Sequence, residues 1–361
     1  MIYYTGFENR TRQTAGAKAP SDILALCRKR NYQFVPIKYP NTNLPKPILR
    51  VWKYLTSFQY WSHLLKTMQK GDVLIYQHPL YVSWMLAKFI DKFHAKGIKL
   101  IVLIHDLETL RKGIEGAIEV NENISNMVEC KLLKQFDAVI CHNKVMKQYL
   151  LSQGYEEQKL ICLEMFDYLG DCEVKPHPPK SQNPSVVIAG NLLKTKCGYI
   201  YHIHDESCNP NLTTHLFGLS FDESTSNKML NYHGSFPSAE LPGMLEGDFG
   251  LVWDGPSAET CAGNTGKYLK YNNPHKTALY LSSGFPVIVW SKAAVAEFVL
   301  KNEVGLTVNS LYELEEAIRS VPEKKYARMC QNAMMLSERL NSGYYFYQAL
   351  DEGLSRMGIK S

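Results

Sequence analysis

Long apolar runs are missing from this chain: no stretch of its 361 residues approaches membrane-spanning length, so a transmembrane anchor is not expected. The opening Met1-Ile-Tyr-Tyr-Thr-Gly-Phe7 reads as a short strand running into polar residues, so no secretion signal is expected either. Charge of one sign is scarce as well. Forty Lys and Arg against 35 Asp and Glu leave a formal +5, too little for a nucleic-acid binder but compatible with anionic ligands or lipid surfaces. Nine cysteines lie between Cys27 and Cys330 without a Cys-x-x-Cys pair, which points to reduced thiols in a cytoplasmic protein rather than a disulfide frame. No Asp-x-Asp element occurs, nor His and Cys at metal-ligand spacing, so neither a metal nor another cofactor is expected. Internal repeats and low-complexity tracts are absent too.

What the chain does contain, 45% apolar and 11% aromatic residues, is enough for two packed domains. In the first half the strand candidates are Gln33–Lys38, Asp72–Gln77, Lys99–Ile104, Ala138–Cys141 and Lys159–Leu163. Helical patterns separate them: one from Ser21 to Arg30, one from Tyr81 to Ala95 ending at Gly97, one from Lys144 ending at Gly154. This order demands a parallel sheet covered on both faces. From Asp171 to Pro184 the Pro-rich sequence sustains neither regular element and reads as a linker. The alternation then restarts with Ser185–Ala189, Thr214–Gly218, Asn231–Tyr232, Gly250–Trp253, Pro286–Trp290 and Gly305–Val308. A final helical segment from about Glu323 to Met357 is interrupted near Asn341-Ser-Gly343. The expected class is α/β, two Rossmann-like doubly wound parallel-sheet domains facing across a cleft. Residues 1–172 form the first, 173–184 the linker and 185–340 the second, with 341–361 a terminal helix crossing back to the first.

Ligands of such sheets bind outside the carboxyl ends of the strands. In the second half those ends carry Gly190-Asn191, Tyr232-His-Gly234 with Phe236, Asp254-Gly255 and the segment Asn272 to Lys276. In the first half they carry Thr14-Ala-Gly16-Ala-Lys18, Gln77-His78-Pro79, His105-Asp106-Leu-Glu108 and His142-Asn143. The segment from Tyr268 to Trp290 reads as a helix running into a buried strand. Asn272 and Asn273 offer capping oxygens, Pro274 suits the first helical position, and His275 and Lys276 place positive charge beside N–H groups without intrahelical partners. A diphosphate fits such an end, although an ordinary capped helix has the same signature.

Seven motifs along most of the chain carry a family resemblance. They are Ala17-Lys-Ala-Pro-Ser-Asp22, Gly71-Asp-Val-Leu-Ile-Tyr-Gln-His-Pro79, His105-Asp-Leu-Glu-Thr-Leu-Arg111, Ala189-Gly-Asn-Leu192, His233-Gly-Ser-Phe236, Phe249-Gly-Leu-Val-Trp-Asp-Gly255 and Tyr271-Asn-Asn-Pro-His-Lys276. In this order the sequence resembles bacterial galactofuranosyltransferases and the related glucosyltransferases of adhesin glycosylation, which share the two-lobe GT-B architecture. The resemblance implies transfer of a hexosyl group from a UDP-sugar to a glycan hydroxyl in bacterial surface polysaccharide or glycoprotein synthesis. It also implies inversion of configuration. Residues 40–66 and Asp205–Asn211 depart from the pattern and leave the acceptor open.

Without a metal, Lys276, His275 and the helix start would stabilise the leaving diphosphate. Gly16 would let backbone approach a phosphate, Asn191 and Asp254 would bond donor hydroxyls, Tyr232 and Phe236 would stack on uracil or flank it, and Gly234 would also lie on the donor side. For the base that takes the acceptor proton, Asp106 comes first, with His78 and Glu108 as alternatives. Between Lys46 and Lys70, Trp52, Tyr54, Phe58, Tyr60 and Trp61 mix with Arg50, Lys53 and Lys66. Such a helix suits a bilayer interface at the inner membrane face and a lipid-linked acceptor, or packing under the lobe or against a second copy in a homo-oligomer. Two other functions fit the same architecture: a UDP-sugar epimerase and a non-catalytic sugar-binding protein.

Overall fold

The computed structural model describes residues 1–7, 15–38, 43–112, 129–170, 174, 176–205, 208–225 and 227–360. The chain divides into two compact units. Unit 1 comprises Met1–Arg12, Pro20–Leu163 and Tyr347–Ser361, and unit 2 comprises Gln13–Ala19 and Glu164–Phe346.

Unit 1 is built on six parallel strands in the order β2-β1-β3-β4-β5-β6. They are β1 (Ile2–Phe7), β2 (Gln33–Ile37), β3 (Val73–His78), β4 (Lys99–Ile104), β5 (Ala138–Cys141) and β6 (Leu160–Cys162). Every residue of β3 and β5 is buried, as are the last five of β4, which is why these segments read as unbroken apolar runs rather than alternating ones. Each fully buried Ile, Leu or Val there contributes about 1.5–3 kcal/mol. The helix Lys46–Thr67 lays Trp61 and Leu64 into this core, and the Trp61 indole N–H donates to the Val82 carbonyl at 3.0 Å. The expected helix from Tyr81 to Ala95 is two short ones, Ser83–Leu86 and Ile90–Ala95. The Ser83 hydroxyl, bonded to both the amide and the carbonyl of Leu80, shapes the turn that opens the first.

Unit 1 is completed by the far end of the chain. Helix Ala15–Lys29 receives the helix Tyr344–Arg356: the Arg30 guanidinium binds the Asp351 carboxylate with both nitrogens and lies 4.1 Å from the Tyr347 ring centroid. The Tyr347 hydroxyl donates to the Leu26 carbonyl at 2.9 Å.

Unit 2 repeats the plan with the order β12-β11-β10-β7-β8-β9, again all parallel. Its strands are β7 (Ser185–Asn191), β8 (Thr213–Leu219), β9 (Leu230–Tyr232), β10 (Phe249–Val252), β11 (Val287–Trp290) and β12 (Gly305–Val308). At the carboxyl end of the β7–β8 pair Gly218 lies opposite Gly190 with φ +151°, and a Cβ there would stand 1.7 Å from the Gly190 carbonyl oxygen. Only glycine fits. Helix Glu323–Ser342 ends at Gly343 in the left-handed region, φ 82°, before helix Tyr344–Arg356 begins, so the break expected near Asn341 is a left-handed helix stop.

Candidate active site

In each sheet the strand order reverses once, between β1 and β3 in unit 1 and between β7 and β10 in unit 2. Crevices at such points, outside the carboxyl ends, are where open α/β sheets take ligands.

In unit 2, β10 runs into Trp253, Asp254 and Gly255, and the helix His275–Ser282 starts beside them. The Lys276 ammonium donates to the Trp253 carbonyl at 2.9 Å and to Asp254 Oδ1 at 2.8 Å. Both side chains are only 11% exposed. Burial works against the Lys276 charge, but the Asp254 carboxylate more than offsets it and holds the ammonium above the usual lysine range. Asn191, at the exposed end of β7, accepts from the Leu193 amide at 3.1 Å.

The helix start differs from the sequence reading in three ways. Pro274 is the cap itself rather than the first helical residue, and no side chain caps the helix. Asn273 instead donates its side-chain amide to the Glu164 carbonyl at 2.9 Å. His275 is held toward its neutral form rather than as a cation: burial, then the neighbouring Lys18 charge, push its pKa down to about 3. Its ring lies 5.1 Å from Tyr168 and 6.0 Å from Phe166. Three buried polar atoms at this start, Asn272 Oδ1, His275 Nε2 and Thr277 Oγ1, have no hydrogen-bond partner among the described residues.

Gly16 falls within helix Ala15–Lys29 rather than in a Gly/Ala loop, the helix continuing through Pro20, whose ring removes only one backbone bond near the helix start. Lys18, two residues on, sits over the Tyr168 ring at 4.6 Å and binds the Leu169 carbonyl. The sequence offered it only as one residue of a strand-end run. On the other side of β7, the Tyr232 hydroxyl donates to the Gly218 carbonyl at 2.8 Å, and Gly234 has φ +84° with open space where a Cβ would stand. Phe236 packs 6.1 Å from Phe217.

In unit 1 the polar groups at the strand ends are linked to one another. The Gln77 amide donates to the Thr5 carbonyl at 3.0 Å, and its oxygen meets His105 Nε2 at 2.7 Å. His78, buried at the end of β3, meets Glu129 Oε1 at 2.6 Å through Nε2, while its Nδ1 has no partner among the described residues. Glu129 also accepts from the Glu108 and Thr109 amides at 3.1 and 2.9 Å, capping the helix Glu108–Arg111. Burial opposes ionisation of Glu129, yet His78 and the Thr109 amide together leave its pKa below the usual carboxylate value. Sequence reasoning missed this residue, since 51 positions separate it from His78. Asp106 remains 40% exposed, 3.9 Å from Arg111 Nε. Glu108 is taken up by Arg111 at 2.5 Å and Lys112 at 3.0 Å, ordinary ion pairs along one helix face. Next to these, His142 is buried and its pKa is pushed down to about 4 by burial, with the Ile104 carbonyl 3.1 Å from Nε2.

Comparison with known proteins places both halves. Residues 1–165 match the Glucosyltransferase 3-like N-terminal domain, and residues 186–353 match the corresponding C-terminal domain. The chain is 33% identical to beta-1,6-galactofuranosyltransferase WbbI of Escherichia coli strain K12, over 97% of this chain and 98% of that protein. It is 28% identical to Glucosyltransferase 3 of Streptococcus gordonii, over 80% of each. The fold also matches the lipopolysaccharide outer core galactosyltransferase WaaB, with a TM-score of 0.61, 11% identity, and 98% of this chain and 99% of that one covered. Its two parallel sheets are thus those of the GT-B architecture, and the chain belongs to the Glucosyltransferase 3-like family of glycosyltransferases.

Proposed function

We propose that this enzyme transfers a hexosyl group from a UDP-sugar to a hydroxyl of a glycan acceptor, with inversion and without a catalytic metal. Galactofuranose is favoured over glucose or galactose because the relative matching over 97% of the chain is named a galactofuranosyltransferase. The observation that carries the donor assignment is the helix start in unit 2, where three buried polar atoms lack partners beside the Lys276–Asp254 pair. Leaving each such atom unsatisfied costs about 1–3 kcal/mol, which a polar ligand recovers. An ammonium has three donors, and Trp253 and Asp254 engage two of those of Lys276. The remaining one is available to a phosphate oxygen, and the uncapped N–H groups of the helix add to it. Asp254 keeps Lys276 in one position and offers its other oxygen to a sugar hydroxyl; Asn191, Tyr232 and Gly234 complete the donor side.

In this reading the acceptor oxygen attacks the anomeric carbon as the bond from that carbon to the diphosphate oxygen breaks. The acceptor proton passes to Asp106, the exposed carboxylate at the end of β4. His78, oriented by Glu129, is the alternative base. Glu108 is disfavoured because Arg111 and Lys112 already claim its carboxylate. A panel of UDP-sugars tested for thermal stabilisation names the donor, because a ligand that binds only the native state raises its melting temperature. Stabilisation by no UDP-sugar overturns the proposal, and UDP release without any acceptor, together with an isomerised sugar, would favour an epimerase.

The acceptor is proposed to be lipid-linked, on the evidence of helix Lys46–Thr67. This helix carries no acidic residue, and Ile48, Val51, Leu55 and Phe58 form an exposed apolar stripe at helical spacing, flanked by Lys46, Arg50 and Lys53. Among the described residues no helix is long and apolar enough to cross a membrane, so the contact proposed is peripheral. Sedimentation with phosphatidylglycerol vesicles should carry the protein down, and Leu55→Ser with Phe58→Ser should release it. Equal sedimentation of both forms rejects the contact, and a dimer in solution that these substitutions split would assign the stripe to a second copy.

A further inference from the structure

His215 on β8, His233 just after β9 and Glu246 just before β10 converge at one point in unit 2, and the proposed donor and acceptor chemistry uses none of them. His215 Nδ1 stands 3.0 Å from His233 Nε2, and each of these nitrogens is 3.2 Å from Glu246 Oε1. Three nearly equal edges form a triangle, and hydrogen bonds can fill two of its edges but leave the third in conflict. If both nitrogens carry protons and point at the carboxylate oxygen, two N–H groups lie side by side along the third edge. If one nitrogen donates to the other, the acceptor ring turns a lone pair toward the carboxylate or leaves that edge empty. A cation above the centre takes one lone pair from each atom and removes the conflict.

The dimensions agree. Zinc binds His nitrogen and carboxylate oxygen at about 2.0–2.2 Å, which in a tetrahedron spaces the ligand atoms by roughly 3.3–3.6 Å. The observed edges fall a few tenths of an ångström short of that spacing, so small side-chain rotations would be enough to seat the ion. The His233 ring is held in plane by Phe217, stacked 4.4 Å away at 5°. Glu246 is 58% exposed, so water reaches the cluster from its side. Two imidazoles and a carboxylate suit zinc among the common divalent ions, since calcium and magnesium prefer all-oxygen sites.

We infer that His215, His233 and Glu246 form a zinc site that ties the three-residue edge strand β9 to the segment entering β10. It would fasten the part of the sheet from which Gly234 and Phe236 follow.

The test uses the full chain, stripped with a chelator and then dialysed against Zn²⁺ alone. One zinc per chain is expected by elemental analysis. Co²⁺ in its place should give the strong visible absorption of a tetrahedral site. His233→Gln and, separately, Glu246→Gln should each lower zinc affinity by more than the roughly 10- to 100-fold typical of losing an outer partner. Glu246 is exposed enough for its variant to fold, and a circular dichroism spectrum checks His233→Gln. Zinc retention equal in the parent and both folded variants, or a cobalt spectrum unchanged by them, overturns the assignment.

Discussion

The two sheets reverse their strand order in the same way but treat the polar groups at the reversal differently. In unit 1 the groups are linked to one another, Thr5 with Gln77, Gln77 with His105, His78 with Glu129, and Glu129 with the start of helix Glu108–Arg111, although Thr5 Oγ1, His78 Nδ1 and Thr109 Oγ1 have no partner among the described residues. In unit 2 one ion pair, Lys276 with Asp254, stands beside Asn272, His275 and Thr277, each with an unanswered buried atom. Buried polar atoms without partners therefore occur at both reversals, and what sets unit 2 apart is the buried ammonium of Lys276 held by Asp254. On the function proposed above, that buried cation suits unit 2 to a highly charged donor and leaves positioning and proton chemistry to unit 1.

The sharpest way to break the comparison is Asp106→Asn. Transfer should fall by about 10²–10⁴-fold while UDP-sugar affinity, read by calorimetry, stays unchanged. If transfer survives, the same measurement on His78→Asn decides whether His78 inherits the role. Next comes Lys276→Met combined with Asp254→Asn, which avoids stranding a buried carboxylate. Loss of the cation should raise the barrier by about 2–4 kcal/mol, seen in kcat, with the fold intact by circular dichroism. Unchanged turnover would remove unit 2 from the chemistry.

Acid titration probes the networks without mutation. The folded pKa of His142 is about 4 against an ordinary value of 6.5, so the unfolded chain binds the extra proton first as pH falls. Its contribution is fully present above pH 6.5 and is lost on the way down to about pH 4, at most about 3 kcal/mol. His275, pushed down to about 3, acts in the same direction in unit 2. Denaturant unfolding between pH 7 and 4 should show stability falling, and His142→Gln should flatten the slope. The smallest effect expected is that of Glu129→Gln: about 1–3 kcal/mol of stability, with a shifted pH profile of transfer if His78 takes part in the proton step.

The fold was largely legible because strands buried on both faces write themselves as unbroken apolar runs. Lys99–Ile104, Ala138–Cys141 and Gly305–Val308 have the expected bounds. Helix starts were harder. Pro20 hid the true beginning of helix Ala15–Lys29, and the pair Asn272-Asn273 suggested a side-chain cap where Pro274 takes that place. For the candidate site, position along the chain was enough to put forward Asp106, His78, Asp254 and Lys276. Pairings across the chain left no local trace: Asp254 with Lys276, Glu129 with His78, and Lys18 with Tyr168 depend on the fold to bring them together. The charge state of His275 was illegible for the same reason, since burial and Lys18 determine it.

The clasp of Arg30 on Asp351 and of Tyr347 on Leu26 bears on how the protein is made. Because Tyr347–Ser361 belongs to unit 1, the half translated first cannot be finished until that segment has been made. A nascent chain therefore carries an open seam on helix Ala15–Lys29 throughout synthesis, and premature termination anywhere before Tyr347 damages the half that was already out.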